Sequence, residues 1–248
     1  MMLNSDNLIT KELRIFSQSI DPRELFPALM PEAADLVIKD PYAFTIATCL
    51  DRGAKAEVIW TIPYDIQNTL GHLDPFRIYQ MSLDELASMF VRLARKPRYI
   101  NDAPRTIQEL TMIVVEECDG DASGIWVGKH ASEVKRTFLS IHGVGQGIAN
   151  MAVILIEKAF PVRFDDLDRP CMDIKPDTHT MLVLYRLGVS HSQSEQAAIE
   201  AARWLNPTYP GELDGALWLI GRKWCHATAP DCSACPMTNV CNKRTGNF

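Results

Sequence analysis

Phe138-Leu-Ser-Ile-His-Gly-Val-Gly-Gln-Gly-Ile-Ala-Asn-Met-Ala-Val-Ile-Leu-Ile156 is the stretch from which the fold can be read. An apolar helix end meets Gly143-Val144-Gly145, and a second apolar helix begins at once. Glycine tolerates left-handed backbone and close approach, so this pattern makes a tight reversal between two helices. The second helix opens with N–H groups that have no partner inside the helix, a ready place for a phosphate. A helix–hairpin–helix of this kind binds the DNA backbone without reading its bases. The same residues also suit a plain αα-hairpin with a glycine cap, and a lone Gly-x-Gly does not separate the two.

Helical spacing extends to both sides of the hairpin. Leu8, Ile9, Leu13 and Phe16 follow it over 7–19, after which Pro22, Pro27 and Pro31 cut the chain into short pieces. Asp40-Pro41 reads as an N-cap with proline at the first helical position. The run over 54–70 holds Pro63 as a kink or boundary. Ser82-x-x-Glu85 is a capping box ahead of Leu86, Met89, Phe90 and Leu93, and Arg95-Lys96-Pro97-Arg98 ends that helix. The spacing returns over 102–118, followed by an Asp119-Gly120-Asp121 turn. Ser132 is read as the next N-cap, although Lys135 stands where a capping box has Glu or Gln. Trp60, Trp204, Trp218 and Trp224 are read as core residues. No repeat and no low-complexity linker interrupts this order.

The chain has 248 residues, enough for one or two domains, and its 47% apolar content is that of a globular protein. No apolar run approaches a membrane span, and Met1 to Lys11 lack the pattern of a signal peptide. The formal net charge of −6 argues mildly against a nucleic-acid partner, although local patches matter more than the total. Cys49, Cys118 and Cys171 stand alone and are read as buried, inert thiols.

The other four cysteines form a group, Cys225-x6-Cys232-x2-Cys235-x5-Cys241. Four thiols this close can converge on one centre, either an iron–sulfur cluster or a tetrahedral zinc. A disulfide pair or unrelated buried thiols are the alternatives, and disulfides are rare in the cytosol. Pro230, Asp231, Pro236 and Asn239 suit a loop wrapped round such a centre. Upstream, Lys175-Pro176-Asp177-Thr178-His179 leads into another apolar helix. Asp177 there is an N-cap in the plainest reading, and a carboxylate able to stabilise a cationic sugar or position a water in a sharper one. His142, His179 and Tyr185 read first as packing residues. The preceding loop, rich in aspartate from Asp165 to Asp173, reads first as solvated surface.

In this order, Ile141-His-Gly-Val-Gly-Gln-Gly-Ile-Ala-Asn150, Pro176-Asp-Thr-His179, Ile220-Gly-Arg-Lys-Trp-Cys225 and the cysteine tail resemble the iron–sulfur branch of the helix–hairpin–helix DNA glycosylases, the family of endonuclease III. The resemblance covers roughly residues 40–244. It implies an all-α, two-lobed fold. A six-helix barrel carrying the hairpin is expected over 36–150, and a cluster domain over 1–35 and 151–248. DNA is expected in the cleft between them. It also implies a [4Fe–4S] cluster on Cys225, Cys232, Cys235 and Cys241 rather than zinc, with a double-stranded DNA partner containing a modified or mismatched base. A monomer in the cytoplasm, associated with the nucleoid and not with a membrane, is expected.

The resemblance assigns roles as well. The target nucleotide leaves the stack, and Asp177 stabilises the positive character that develops on its sugar. Backbone N–H groups of Gly143, Gly145 and Gly147 hold a phosphate. Arg222, Lys223, Lys243 and Arg244 form a basic platform, and Arg95, Lys96, Arg98 and Arg105 a second patch. Arg52, in Asp51-Arg52-Gly53-Ala54, falls in the segment with which the family contacts the opened duplex, where it fills the gap left by the flipped base or contacts a modified base, and Tyr99 or Ile100 falls in a second wedge loop. Gly147 occupies the position of the lysine nucleophile in strand-cutting members. No Schiff base can form without that amine, so the expected reaction is hydrolysis of the N-glycosidic bond, leaving an abasic site. Lys175 is the alternative nucleophile for a bifunctional glycosylase/lyase. A non-catalytic DNA-binding protein and a redox or metal-sensing protein are the readings from other classes. The departures near Arg52 and the longer loop over 161–176 leave open which base is excised.

Overall fold

A computed structural model describes residues 3–243. Thirteen α-helices and no strand occur among the described residues, in agreement with the expected all-α class. In chain order they are α1 (Leu3–Ser19), α2 (Pro31–Lys39), α3 (Pro41–Leu50), α4 (Ala56–Ile59), α5 (Ile62–Leu70), α6 (Pro75–Tyr79) and α7 (Leu83–Arg92). They continue with α8 (Ala103–Cys118), α9 (Ala131–Ser140), α10 (Gln146–Ala159), α11 (Thr178–Leu187), α12 (Glu195–Leu205) and α13 (Asp214–Lys223). No helix of the described residues is long and apolar enough to cross a membrane. Arg244 lies outside the described residues.

Among the described residues, 26–167 form one compact unit, and 3–25 with 168–243 form the other. The first thus includes all of α10. A boundary at residue 150 would cut that helix. Its core is built on α3, whose residues from Tyr42 to Leu50 are all buried, as expected of a helix enclosed on every side. Phe44 of α3 meets the edges of Phe26, Trp126 and Phe160 with ring centroids 6.1, 5.8 and 5.2 Å apart. Asp40 caps α3 by accepting from the N–H groups of Tyr42 and Ala43. Ser82 and Glu85 close the capping box of α7. The 54–70 run is broken between Ile59 and Ile62, so Pro63 marks a boundary near the start of α5.

Helix α9 begins at Ala131, ahead of Ser132. Glu133 is the acidic residue that the start requires, since its carboxylate accepts the His130 N–H. Asp166 accepts the neighbouring Ala131 N–H. The aspartate-rich loop is therefore anchored. Its Phe164 and Leu167 are buried in this unit, and the Phe164 N–H donates to Glu157.

The second unit packs α1, α11, α12 and α13 around Leu13, Val183, Leu184, Leu217, Ile220 and Met237. Trp224 meets Phe16 edge to face at 5.8 Å. Trp204 is not a core residue and is 56% exposed. The buried face of α12 is made by Ala197, Ala198, Ala201, Ala202 and Leu205, which puts Trp204 on the outer side. Cys171 is likewise exposed, at the end of a short 3-10 turn, whereas Cys49 is buried and Cys118 half-buried.

Candidate functional site

The hairpin lies in the first unit. Val144 closes the turn by donating to the Ile141 carbonyl, and Gly143 sits in the left-handed region at φ 81°. Gly145 is the N-cap of α10. The N–H groups of Gly143, Gly145, Gln146, Gly147 and Ile148 donate to no protein acceptor among the described residues. They are donors at the positive end of a 14-residue helix, a place that favours an anion. The His142 N–H just before them is already taken by Glu109 at 2.6 Å. Arg105 in turn neutralises Glu109 with an Nε–Oε1 bond of 2.8 Å.

The structure also brings the expected wedge residues to the hairpin. The Arg52 guanidinium lies on Gly143, in space that a side chain there would fill. It stacks 5.2 Å from the centroid of the Tyr99 ring and reaches the Thr106 hydroxyl from Nη2 at 3.4 Å. Thr106 donates to the His142 carbonyl at 2.9 Å. Gly53 lets the two loops touch, since a Cβ there would stand 2.8 Å from Cδ of Arg98 and 2.9 Å from Cε2 of Tyr99. Tyr99 is 45% exposed, and Ile100 half-buried.

The second basic patch divides. Arg95 is tied to the buried carboxylate of Asp65 through its backbone N–H, Nε and Nη2 at 3.2, 2.8 and 2.7 Å. Lys96 donates to the Leu93 carbonyl and Arg105 is paired as above. Arg52 and Arg98 have no carboxylate within ion-pair distance among the described residues.

Asp177 lies in the second unit as the N-cap of α11. Its Oδ1 accepts the Thr180 N–H at 2.8 Å, and its own N–H donates to the Thr180 hydroxyl at 2.8 Å. The plain reading of Asp177 as a cap is therefore correct. It also fixes the carboxylate, whose Oδ2 makes no hydrogen bond with a described residue. The start of α11 rests on α13 through Gly221, where a Cβ would stand 2.6 Å from the His179 Cβ. Lys175 donates its backbone N–H to Asp214.

Cys225, Cys232, Cys235 and Cys241 line one cavity together with Arg186, Trp224, Thr238 and Lys243. None of the four is joined in a disulfide. Among the described residues, no group of three or more His, Cys, Asp or Glu is arranged to hold a metal ion. Burial pushes the Cys235 and Cys241 thiols up, and the charges of the neighbouring cysteines add to this. Arg186 is the residue that sequence reading passed over. It is 4% exposed, and its Nη1 donates to the Cys225 sulfur at 3.4 Å and the His226 carbonyl at 2.7 Å, while Nη2 donates to the Ala227 carbonyl. Its buried Nε has no hydrogen-bond partner among the described residues. Lys223 is ion-paired with Glu24 and lies over the Trp224 ring, and Arg222 lies over Trp218.

No family model matches the chain. The chain is 24% identical over 194 residues to an adenine DNA glycosylase of Schizosaccharomyces pombe. That match covers 66% of this chain and only 40% of the relative's length. Among solved structures, an endonuclease III trapped as a covalent intermediate with DNA superposes with a TM-score of 0.57 at 21% identity, covering 83% of this chain and 84% of that one. A thermostable thymine-DNA glycosylase superposes with a TM-score of 0.59 at 17% identity, covering 96% of each. The fold is therefore one shared with endonuclease III and with this thymine-DNA glycosylase.

Proposed function

We propose that this chain is a monofunctional DNA glycosylase, hydrolysing the N-glycosidic bond of a modified or mismatched base in duplex DNA. The observation that carries the reading is the Asp177 carboxylate. Oδ1 is fixed by Thr180 and Oδ2 has no hydrogen-bond partner among the described residues, so a negative charge is held in place before substrate arrives. Loss of the base leaves positive character on the deoxyribose, and a carboxylate that need not reorganise stabilises that charge most. The same oxygen orients the water that completes hydrolysis.

The hairpin supports the assignment through its unpartnered N–H groups, which hold a backbone phosphate without reading sequence. Gly147 supports the hydrolytic course, because the hairpin offers no amine to attack the sugar. Excision requires the nucleotide to be out of the stack, at a cost lowest for mismatched or damaged pairs. The match to an adenine DNA glycosylase and the likeness to a thymine-DNA glycosylase suit a mismatched or modified base as substrate.

In this reading Cys225, Cys232, Cys235 and Cys241 hold a [4Fe–4S] cluster. Each iron of a cluster takes a single thiolate, so the sulfurs stand around a cavity rather than around one ion. The donor set fits, with four free thiols lining one cavity beside the buried Arg186 cation. Held by these four cysteines, a cluster would tie α13 to the tail. The tail residues pack Met237 into the core and close the Cys225 loop onto Arg186.

The test is base release from duplexes carrying single mismatched or modified bases, with and without hot alkali, beside Asp177→Asn. Release that becomes a nick only after alkali, and is absent from the variant, is the expected result. Nicking without alkali, with an adduct trapped by borohydride, would overturn the hydrolytic course and point to Lys175.

A further inference from the structure

We propose that Arg52 is the phosphate-binding cation of the hairpin, not a wedge that enters the duplex. The inference rests on the nucleic-acid reading above and adds a residue to it. Four observations in one unit carry it. The guanidinium lies on Gly143, beside the run of unpartnered N–H groups. Its face is held by Tyr99 at 5.2 Å and one edge by Thr106 at 3.4 Å, and its remaining donors meet no acceptor among the described residues. Thr106 is itself bonded to the hairpin carbonyl of His142. No carboxylate within ion-pair distance compensates the charge among the described residues.

These contacts give Arg52 a direction. A side chain that fills the space of an extruded base has to project away from its own surface. Here the side chain is folded back onto the hairpin. A guanidinium matches phosphate oxygens with parallel N–H donors and stacks on an aromatic face while doing so. The ligand of such a site is a phosphodiester of the nucleic-acid backbone, shared between Arg52 and the hairpin amides. Gly143 then serves two purposes, a left-handed turn at φ 81° and room for the Arg52 guanidinium. The second wedge loop keeps Tyr99 as the wall against which Arg52 is set.

The test measures binding of the full chain to fluorescent duplexes, one fully paired and one with a central mismatch, across a salt series. Arg52→Gln is expected to weaken binding by about tenfold on both duplexes. It is also expected to lower the slope of log affinity against log salt by about 1, and Arg52→Lys to restore much of that slope. An unchanged slope, with the loss confined to the mismatched duplex and to 2-aminopurine fluorescence at the opened base, would overturn the proposal in favour of a wedge. A second measurement does not depend on the variant's stability. Methylphosphonate linkages, placed one at a time, should reveal a position whose neutralisation weakens the wild-type protein but not Arg52→Gln. Absence of any such position would count against the proposal equally. Failure of the wild-type chain to bind either duplex would remove the nucleic-acid reading itself.

Discussion

Gly221 and His179 are in backbone-to-side-chain contact, with no room between α13 and the start of α11 for even a methyl group. The contact sits two residues beyond Asp177, so the seat of α11 on α13 sets where the capping carboxylate stands. Gly221→Ala would place a Cβ 2.6 Å from the His179 Cβ and 3.0 Å from its Cα. Backbone is on the other side of the clash, so α11 must move. A destabilisation of about 1–3 kcal/mol is expected, with a loss of base release larger than the loss of folded protein. Urea denaturation beside single-turnover excision checks this. Unchanged turnover with unchanged stability would show that the two helices can separate freely.

Asp177 carries two roles that substitution can separate. Asparagine caps a helix about as well as aspartate, whereas alanine costs about 1 kcal/mol. Asp177→Asn is therefore expected to unfold at the wild-type urea midpoint, and Asp177→Ala at a lower one. Both should lose base release, because neither supplies a negative charge at Oδ2. Equal destabilisation by the two would mean that the Thr180 N–H bond is not a working cap. Release retained by Asp177→Asn would remove the carboxylate from the chemistry.

The parts of this structure visible in the sequence were those set by neighbours along the chain. Asp40 before Pro41, the Ser82–Glu85 box and Asp177 before Thr180 each satisfy helix-end donors within three residues. The start of α9 lies ahead of Ser132, because Glu133 accepts the His130 N–H and the further donor is met by Asp166, 35 residues away. Arg186 carries no local signal of burial, because a charged side chain late in a helix is ordinarily solvated. Here the chain returns with the carbonyls of His226 and Ala227 to meet it. Arg52 on Gly143 is likewise a contact across the fold, so no local pattern announces it. Trp204 and Cys171 failed for the opposite reason, since residue type predicted burial and the packed face lay elsewhere.

The cap on α9 should make stability depend on acid. Glu133 accepts the His130 N–H and Asp166 the Ala131 N–H, and these backbone bonds hold both carboxyls below their ordinary values of 4.5 and 3.8. A carboxyl whose pKa is lower folded than unfolded stabilises the fold above the unfolded value. That contribution disappears as the pH falls through the folded one. The urea midpoint should accordingly decline below about pH 4.5. The Glu133→Gln/Asp166→Asn pair should start lower at neutral pH and decline less steeply. Parallel pH profiles for the pair and the wild type would show that these bonds persist when the carboxyls are protonated.

The cysteines differ in surroundings sharply enough for each to serve as a control for another. Cys225, Cys232, Cys235 and Cys241 share one cavity, Cys171 is exposed in a loop, and Cys49 is buried elsewhere. Protein purified without oxygen should carry about four irons and as much acid-labile sulfide per chain. Cys235→Ser and Cys241→Ser should lose most of both, and Cys171→Ser should keep them. Loss of the centre frees the 225–241 segment from its tie, so Met237 should leave the core and the tail should become the first site cut by a protease. The buried Arg186 would then face thiols without a compensating anion, which adds to the destabilisation. One zinc per chain in place of iron and sulfide would overturn the cluster. Iron content unchanged by Cys235→Ser would place the metal somewhere other than this cavity.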